Sequence, residues 1–84
     1  MNEAILTTLP GRQATVLAAI IREYVQSAEP VGSQTIVKEY DLDVSPATVR
    51  NDMVVLERGG YLESPHQSAG RIPTDQAYRC AGRA

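Results

Sequence analysis

The chain has little from which to build a disulfide framework, a zinc site or a membrane span. Of its 84 residues one is cysteine, Cys80, so no internal disulfide can form and a cysteine-rich zinc site is implausible. Tryptophan and phenylalanine are absent, and the four aromatics are tyrosines at 24, 40, 61 and 78, so aliphatic side chains must fill the core. There is one histidine, His66, and no His, Cys and carboxylate group at metal-ligand spacing. No phosphate-cradling glycine loop and no nucleophile with a base and an orienting third group stand out, so neither an enzyme nor a cofactor or metal is expected. No apolar run is long enough to span a bilayer, and the N-terminus lacks the basic-then-apolar pattern of a secretion signal. A cytoplasmic protein that avoids membranes is the expectation.

Positive charge is also scarce. Eight Lys and Arg stand against ten Asp and Glu, a formal net charge of −2. This weighs against nucleic acid, since DNA-binding modules usually carry a basic footprint. The distribution is uneven, however. Residues 64–84 hold Arg71, Arg79 and Arg83 against Asp75 alone, while Glu39, Asp41 and Asp43 bunch in one turn. Association follows the local potential rather than the sum. The acidic sum still implies weak non-specific affinity and dependence on a dimer or a few good contacts.

What is present reads as one small domain with a modest core, marginally stable by itself. Residues 1–9 form an expected loose leader, 10–79 the domain and 80–84 a tail. A first helix over about 11–28 carries Val16, Leu17, Ile20, Ile21, Tyr24 and Val25 on an apolar face, with Arg12, Gln13, Arg22, Glu23 and Gln26 on the wet side. Pro30 ends it. Val31-Gly32 is an extended link, and Ser33 is placed as the cap of a short helix over about 34–40 that buries Ile36, Val37 and Tyr40. Leu42 and Val44 anchor the next turn.

The segment Val44–Met53 is the most informative. Ser45 is a preferred N-cap, Pro46 suits the first helical position, and Val49, Met53 and Leu56 form one stripe of a helix over 46–58 that Gly59-Gly60 terminates. Tyr61–Ser64 and Arg71–Pro73 read as antiparallel strands around the long loop 65–70, and Thr74 caps a final helix. The expected fold is mainly α: a winged helix-turn-helix with a three-helix core, a two-stranded β wing and a short C-terminal helix.

Ala47, Thr48 and Asn51 lie opposite the apolar stripe with Arg50 on the flank, short or hydrogen-bonding side chains suited to base edges in a major groove. Arg50 has the alternative of a surface pair with Asp52 or Glu57. Ser33, Gln34 and Thr35 at the second helix N-terminus, with Ser45, suit phosphate contacts. In the wing, His66, Gln67, Ser68, Gly70 and Arg71 are the candidates, Arg71 for a minor groove or the backbone and Gly70 for close approach. The competing reading is a winged helix that binds protein and not DNA.

Glu29-Pro30-Val31-Gly32-Ser33, Val44–Met53, Leu56-Glu57, Gly60-Tyr61-Leu62 and above all Pro65-His66-Gln67-Ser68-Ala69-Gly70-Arg71-Ile72-Pro73-Thr74-Asp75 closely resemble the N-terminal domain of the heat-inducible transcription repressor HrcA family. The resemblance covers residues from about 12 to 79. It implies a bacterial repressor of chaperone operons that binds an inverted-repeat operator as a homodimer in the nucleoid. Family members continue past the position of Tyr78-Arg79 into an aromatic-rich segment and then regulatory and dimerisation domains. This chain runs through Cys80–Ala84 and stops, so it is expected to be an isolated DNA-binding domain or a naturally short relative, with dimerisation left to a missing C-terminal region. Val54-Val55 also departs from the expected pattern, where one more polar residue would suit the family.

Overall fold

The computed structural model describes residues 11–66 and 68–82. The expected leader, residues 1–9, and Gln67 lie outside them. Among the described residues four helices and one small sheet follow in order: α1 (Gly11–Ser27), α2 (Ser33–Tyr40), α3 (Pro46–Arg58), β1 (Leu62–Glu63), β2 (Ile72–Pro73) and α4 (Asp75–Gly82). Helix α3 packs against both α1 and α2 and reaches β1, so it is the centre of the fold. This is the winged helix-turn-helix expected from the sequence.

Helix α1 buries Val16, Leu17, Ala19 and Ile20, with Ile21 and Tyr24 half-buried at the edge. Val25, expected on the apolar face, is 67% exposed. At 100° per residue it falls far round the helix from Val16 and Ala19, and the small Ala19 takes a place in the contact instead. The helix ends at Ser27, before Pro30 is reached. Ala28 adopts a left-handed conformation (φ 58°), and its N–H donates to the Tyr24 carbonyl at 2.7 Å.

The link after α1 is joined to the wing by an isolated bridge outside the two-stranded sheet. Val31 forms an antiparallel bridge with Arg71, each N–H donating to the other's carbonyl at 2.9 Å. The wing is therefore fastened to the α1–α2 connection as well as to itself. Gly70 explains how the two come so close: a Cβ there would lie 2.9 Å from the Pro30 carbonyl carbon and 3.0 Å from the Val31 nitrogen. Gly70 is buried, and the close approach it permits here is to the Pro30–Val31 backbone of its own chain.

Helix α2 starts one residue earlier than expected. Gly32 occupies the cap position in an extended conformation without a side-chain bond, which makes Ser33 the first helical residue and not the cap. Asp41 closes the helix in a left-handed conformation (φ 52°), tolerable for a short polar side chain, and its N–H donates to the Val37 carbonyl.

Helix α3 has the expected bounds. The Ser45 hydroxyl accepts from the Thr48 N–H at 3.2 Å, and Pro46 follows. At the other end, the Gly60 N–H donates to the Glu57 carbonyl (3.0 Å) and the Tyr61 N–H to the Leu56 carbonyl (2.9 Å). These two bonds make a Schellman motif, and the positive φ that it needs (90°) falls on Gly60. The stripe of Val49, Met53 and Leu56 is fully buried.

Strands β1 and β2 pair antiparallel with Leu62 opposite Pro73 and Glu63 opposite Ile72. Thr74 then does double duty: its hydroxyl donates to the Gly60 carbonyl (2.6 Å) and accepts from the Ala77 N–H (3.3 Å). Helix α4 continues to Gly82, beyond the boundary expected at Arg79. Its Ala77 and Cys80 enter the core, so Cys80, placed in the tail by the sequence reading, is buried. Burial pushes the Cys80 thiol pKa up. Tyr78 is exposed.

Candidate nucleic-acid interface

The inner and outer sides of α3 differ sharply. Val49, Asp52, Met53 and Leu56 are buried, whereas Ala47, Arg50, Asn51, Val55 and Arg58 are exposed and Thr48 and Val54 are intermediate. On a helical projection Ala47, Asn51, Val54 and Arg58 form one outward line, at steps of four, three and four residues. Arg50 stands on one side of that line, and Thr48 and Val55 on the other. Arg58 is a residue of this face that the sequence reading missed, although its seven-residue spacing from Asn51 marked it.

Arg50 does not make either of the surface pairs considered for it. Its nearest polar partner is the Ser33 hydroxyl, at 3.5 Å from Nη2. Asp52 and Glu57 are engaged by other arginines. Asp52 is turned inward and accepts from Arg12 Nε (2.6 Å) and Nη2 (3.1 Å) across from α1. That contact holds the Arg12 guanidinium pKa above its usual value, first through the hydrogen bond and then through the charge.

Arg50 borders an open cleft of about 240 Å³ together with Gly32, Ser33, Gln34, Thr35, Met53 and Ala69. The fold thus brings together the three candidates from the α2 N-terminus, the flanking arginine of α3 and the base of the wing. Backbone N–H groups at a helix N-terminus and an arginine are suited to an anion. Ser33 is 6% exposed and offers little of its own hydroxyl; Gln34 and Thr35 are exposed. Ser45 and Thr48 are linked hydroxyl to hydroxyl at 3.1 Å, so the cap is shared between them.

The wing candidates separate into two groups. His66 and Ser68 are exposed; the Ser68 hydroxyl accepts from the Gly70 N–H at 3.0 Å and shapes the turn. Arg71, expected to reach a minor groove or grip the backbone, is folded back. Its Nε donates to Glu57 Oε1 (3.0 Å), its Nη1 to the Ala69 carbonyl (2.8 Å), and its side chain is 14% exposed. The Arg71 guanidinium is thus held by Glu57 and by the carbonyls of Ala69 and Gly70 within its own domain. Among the described residues no group of three or more His, Cys, Asp or Glu could hold a metal ion, and no helix is long and apolar enough to cross a membrane.

Comparisons with known proteins agree with this geometry. Residues 8–83 match the family model described as "Winged helix-turn-helix transcription repressor, HrcA DNA-binding". Among curated proteins, the chain is similar to three named "Heat-inducible transcription repressor HrcA". It is 58% identical to that of Pelotomaculum thermopropionicum over 84% of this chain and 20% of that protein. It is 61% identical to that of Cutibacterium acnes over 84% and 21%, and 53% identical to that of Clostridium tetani over 94% and 22%. It also superposes with a TM-score of 0.83 on the crystal structure of a hypothetical protein at 2.2 Å resolution, 49% identical over 86% of this chain and 22% of that one. The chain spans about a fifth of the length of these relatives.

Proposed function

From the premise that the chain belongs to the winged helix-turn-helix DNA-binding family of HrcA transcription repressors, we propose that it is the sequence-reading unit of a repressor of heat-shock chaperone operons, working on cytoplasmic, nucleoid DNA. In this reading α3 enters the major groove with Ala47, Thr48, Arg50 and Asn51 toward base edges, and Arg58 extends the same face. Gln34, Thr35 and the α2 N–H groups, with Ser33 and Ser45 beside them, meet phosphate, and the loop of His66, Gln67 and Ser68 lies on the adjacent backbone or minor groove. The operator is an inverted repeat and the bound state a homodimer, because a winged helix of this size covers one half-site.

The observation that carries the reading is the outer side of α3: a well-capped helix, pinned from behind, that presents small and hydrogen-bonding side chains with arginines at Arg50 and Arg58. The net charge of −2 favours the second reading, a protein-binding winged helix. A mobility-shift series with an inverted-repeat duplex at increasing salt separates the two. A sequence-dependent shift that weakens with salt supports DNA. Its absence, also with two copies of the chain joined in tandem, removes the DNA reading.

A further inference from the structure

One carboxylate of α3 holds both legs of the wing. Glu57 Oε1 accepts from Arg71 Nε at 3.0 Å, at the foot of β2, and Glu57 Oε2 accepts from the Ser64 hydroxyl at 2.9 Å, just past the end of β1. Arg71 passes the restraint onward. Its Nη1 donates to the Ala69 carbonyl at 2.8 Å, and its backbone is bridged to Val31 in both directions. The β1–β2 ladder itself has only two residue pairs. A ladder that short is weak alone, so the loop 64–71 takes its direction from the side-chain tether as much as from the sheet.

We propose that Glu57 and Arg71 are positioning residues of the DNA interface, which fix the angle between the wing and the reading helix, and that Arg71 acts through this pair and not by touching phosphate. The proposal rests on the DNA-binding reading above. A negative side chain beside a DNA-binding surface opposes binding by simple electrostatics. Its placement here has a use only if the geometry it imposes outweighs that repulsion. Glu57 keeps its side chain 37% exposed, so water screens the pair and its contribution to folding stability is modest; the effect belongs in recognition more than in melting.

The sign of one substitution decides the matter. The probes are a duplex enriched by the wild-type 84-residue chain from a randomised pool and an arbitrary duplex of equal length, each titrated across a salt series. We expect Glu57→Gln and Arg71→Gln each to weaken binding to the enriched duplex about tenfold, the cost of re-ordering a loosened loop. The double variant should lose no more than either single one, because both remove the same tether. Arbitrary-duplex affinity should shift only by the charge removed, slightly up for Glu57→Gln and slightly down for Arg71→Gln, while the salt slope and the melting temperature change little. If Glu57→Gln tightens binding to the enriched duplex, or Arg71→Gln lowers the salt slope by about 0.9, one phosphate contact's worth, Arg71 is a DNA contact and the proposal is overturned. Equal losses on both duplexes with a large fall in melting temperature would make the pair structural only, which also overturns it. If the wild-type chain enriches no duplex, the DNA-binding reading fails first and takes the proposal with it.

Discussion

Two carboxylates of α3, five residues apart, meet their arginines in opposite ways. The Asp52 side chain is 4% exposed and its partner Arg12 47%, whereas Glu57 is 37% exposed and its partner Arg71 14%. On the α1 flank the helix buries its own charge and an outer arginine comes in to meet it. On the wing flank the helix keeps its carboxylate near water and draws a wing arginine inward. The first arrangement fixes how α3 lies on the core, since a buried carboxylate without a partner is costly. The second fixes how the wing lies on α3. Both leave the outer line of Ala47, Asn51, Val54 and Arg58 without an ion pair of its own among the described residues. An acidic chain can thus keep the outer side of α3 clear of acids, because its α3 carboxylates are spent on the flanks.

The largest effect is expected between the two flanks. Leu56→Ala removes a side chain that is 1% exposed and should cost about 3 kcal/mol in urea denaturation. In a domain of this size that should leave much of the chain unfolded at physiological temperature, so affinity falls only with the folded fraction. The next bears on the wing flank. Gly70→Ala places a Cβ 2.9 Å from the Pro30 backbone, and relieving the clash should cost about 1–3 kcal/mol. Hydrogen exchange at Val31 and Arg71 should rise more than at Leu56. A smaller effect sharpens the contrast between the pairs. Arg12→Ala strands the buried Asp52 carboxylate, whereas Asp52→Asn leaves a half-exposed arginine that water can serve. The denaturation midpoint should therefore drop further for Arg12→Ala than for Asp52→Asn, and further than for Glu57→Gln.

What could be read from the sequence follows the range of each interaction. The start of α3 was legible because Ser45, Pro46 and Thr48 settle it among themselves, and its end because Gly59-Gly60 closes a local motif. Its buried stripe followed from helical spacing alone. The Arg12–Asp52 pair and the Val31–Arg71 bridge each join residues 40 apart, and no local pattern announces them. For that reason the inward turn of Asp52, the close packing of Gly70 on Pro30, the internal contacts of Arg71 and the bridging of Val31 left no signature in the local sequence. Ser33 misled for a smaller reason: Gly32 can take the extended cap conformation without a side-chain bond, which moved the helix start by one residue. Val25 and Cys80 were misjudged because the direction of α1 toward Ala19, and the docking of α4, are set by the packed neighbours.

The central claim is that the outer side of α3 reads bases. Arg50→Ala and Asn51→Ala test it most directly, each compared with wild type on the enriched duplex, with melting curves taken in parallel. Both residues are exposed, so both variants should melt as the wild type does, within about 0.5 kcal/mol. Each should lose about 1–3 kcal/mol of binding, the range for a base-edge contact, and discrimination should relax at one position of the site. Full affinity retained by both folded variants would contradict the account.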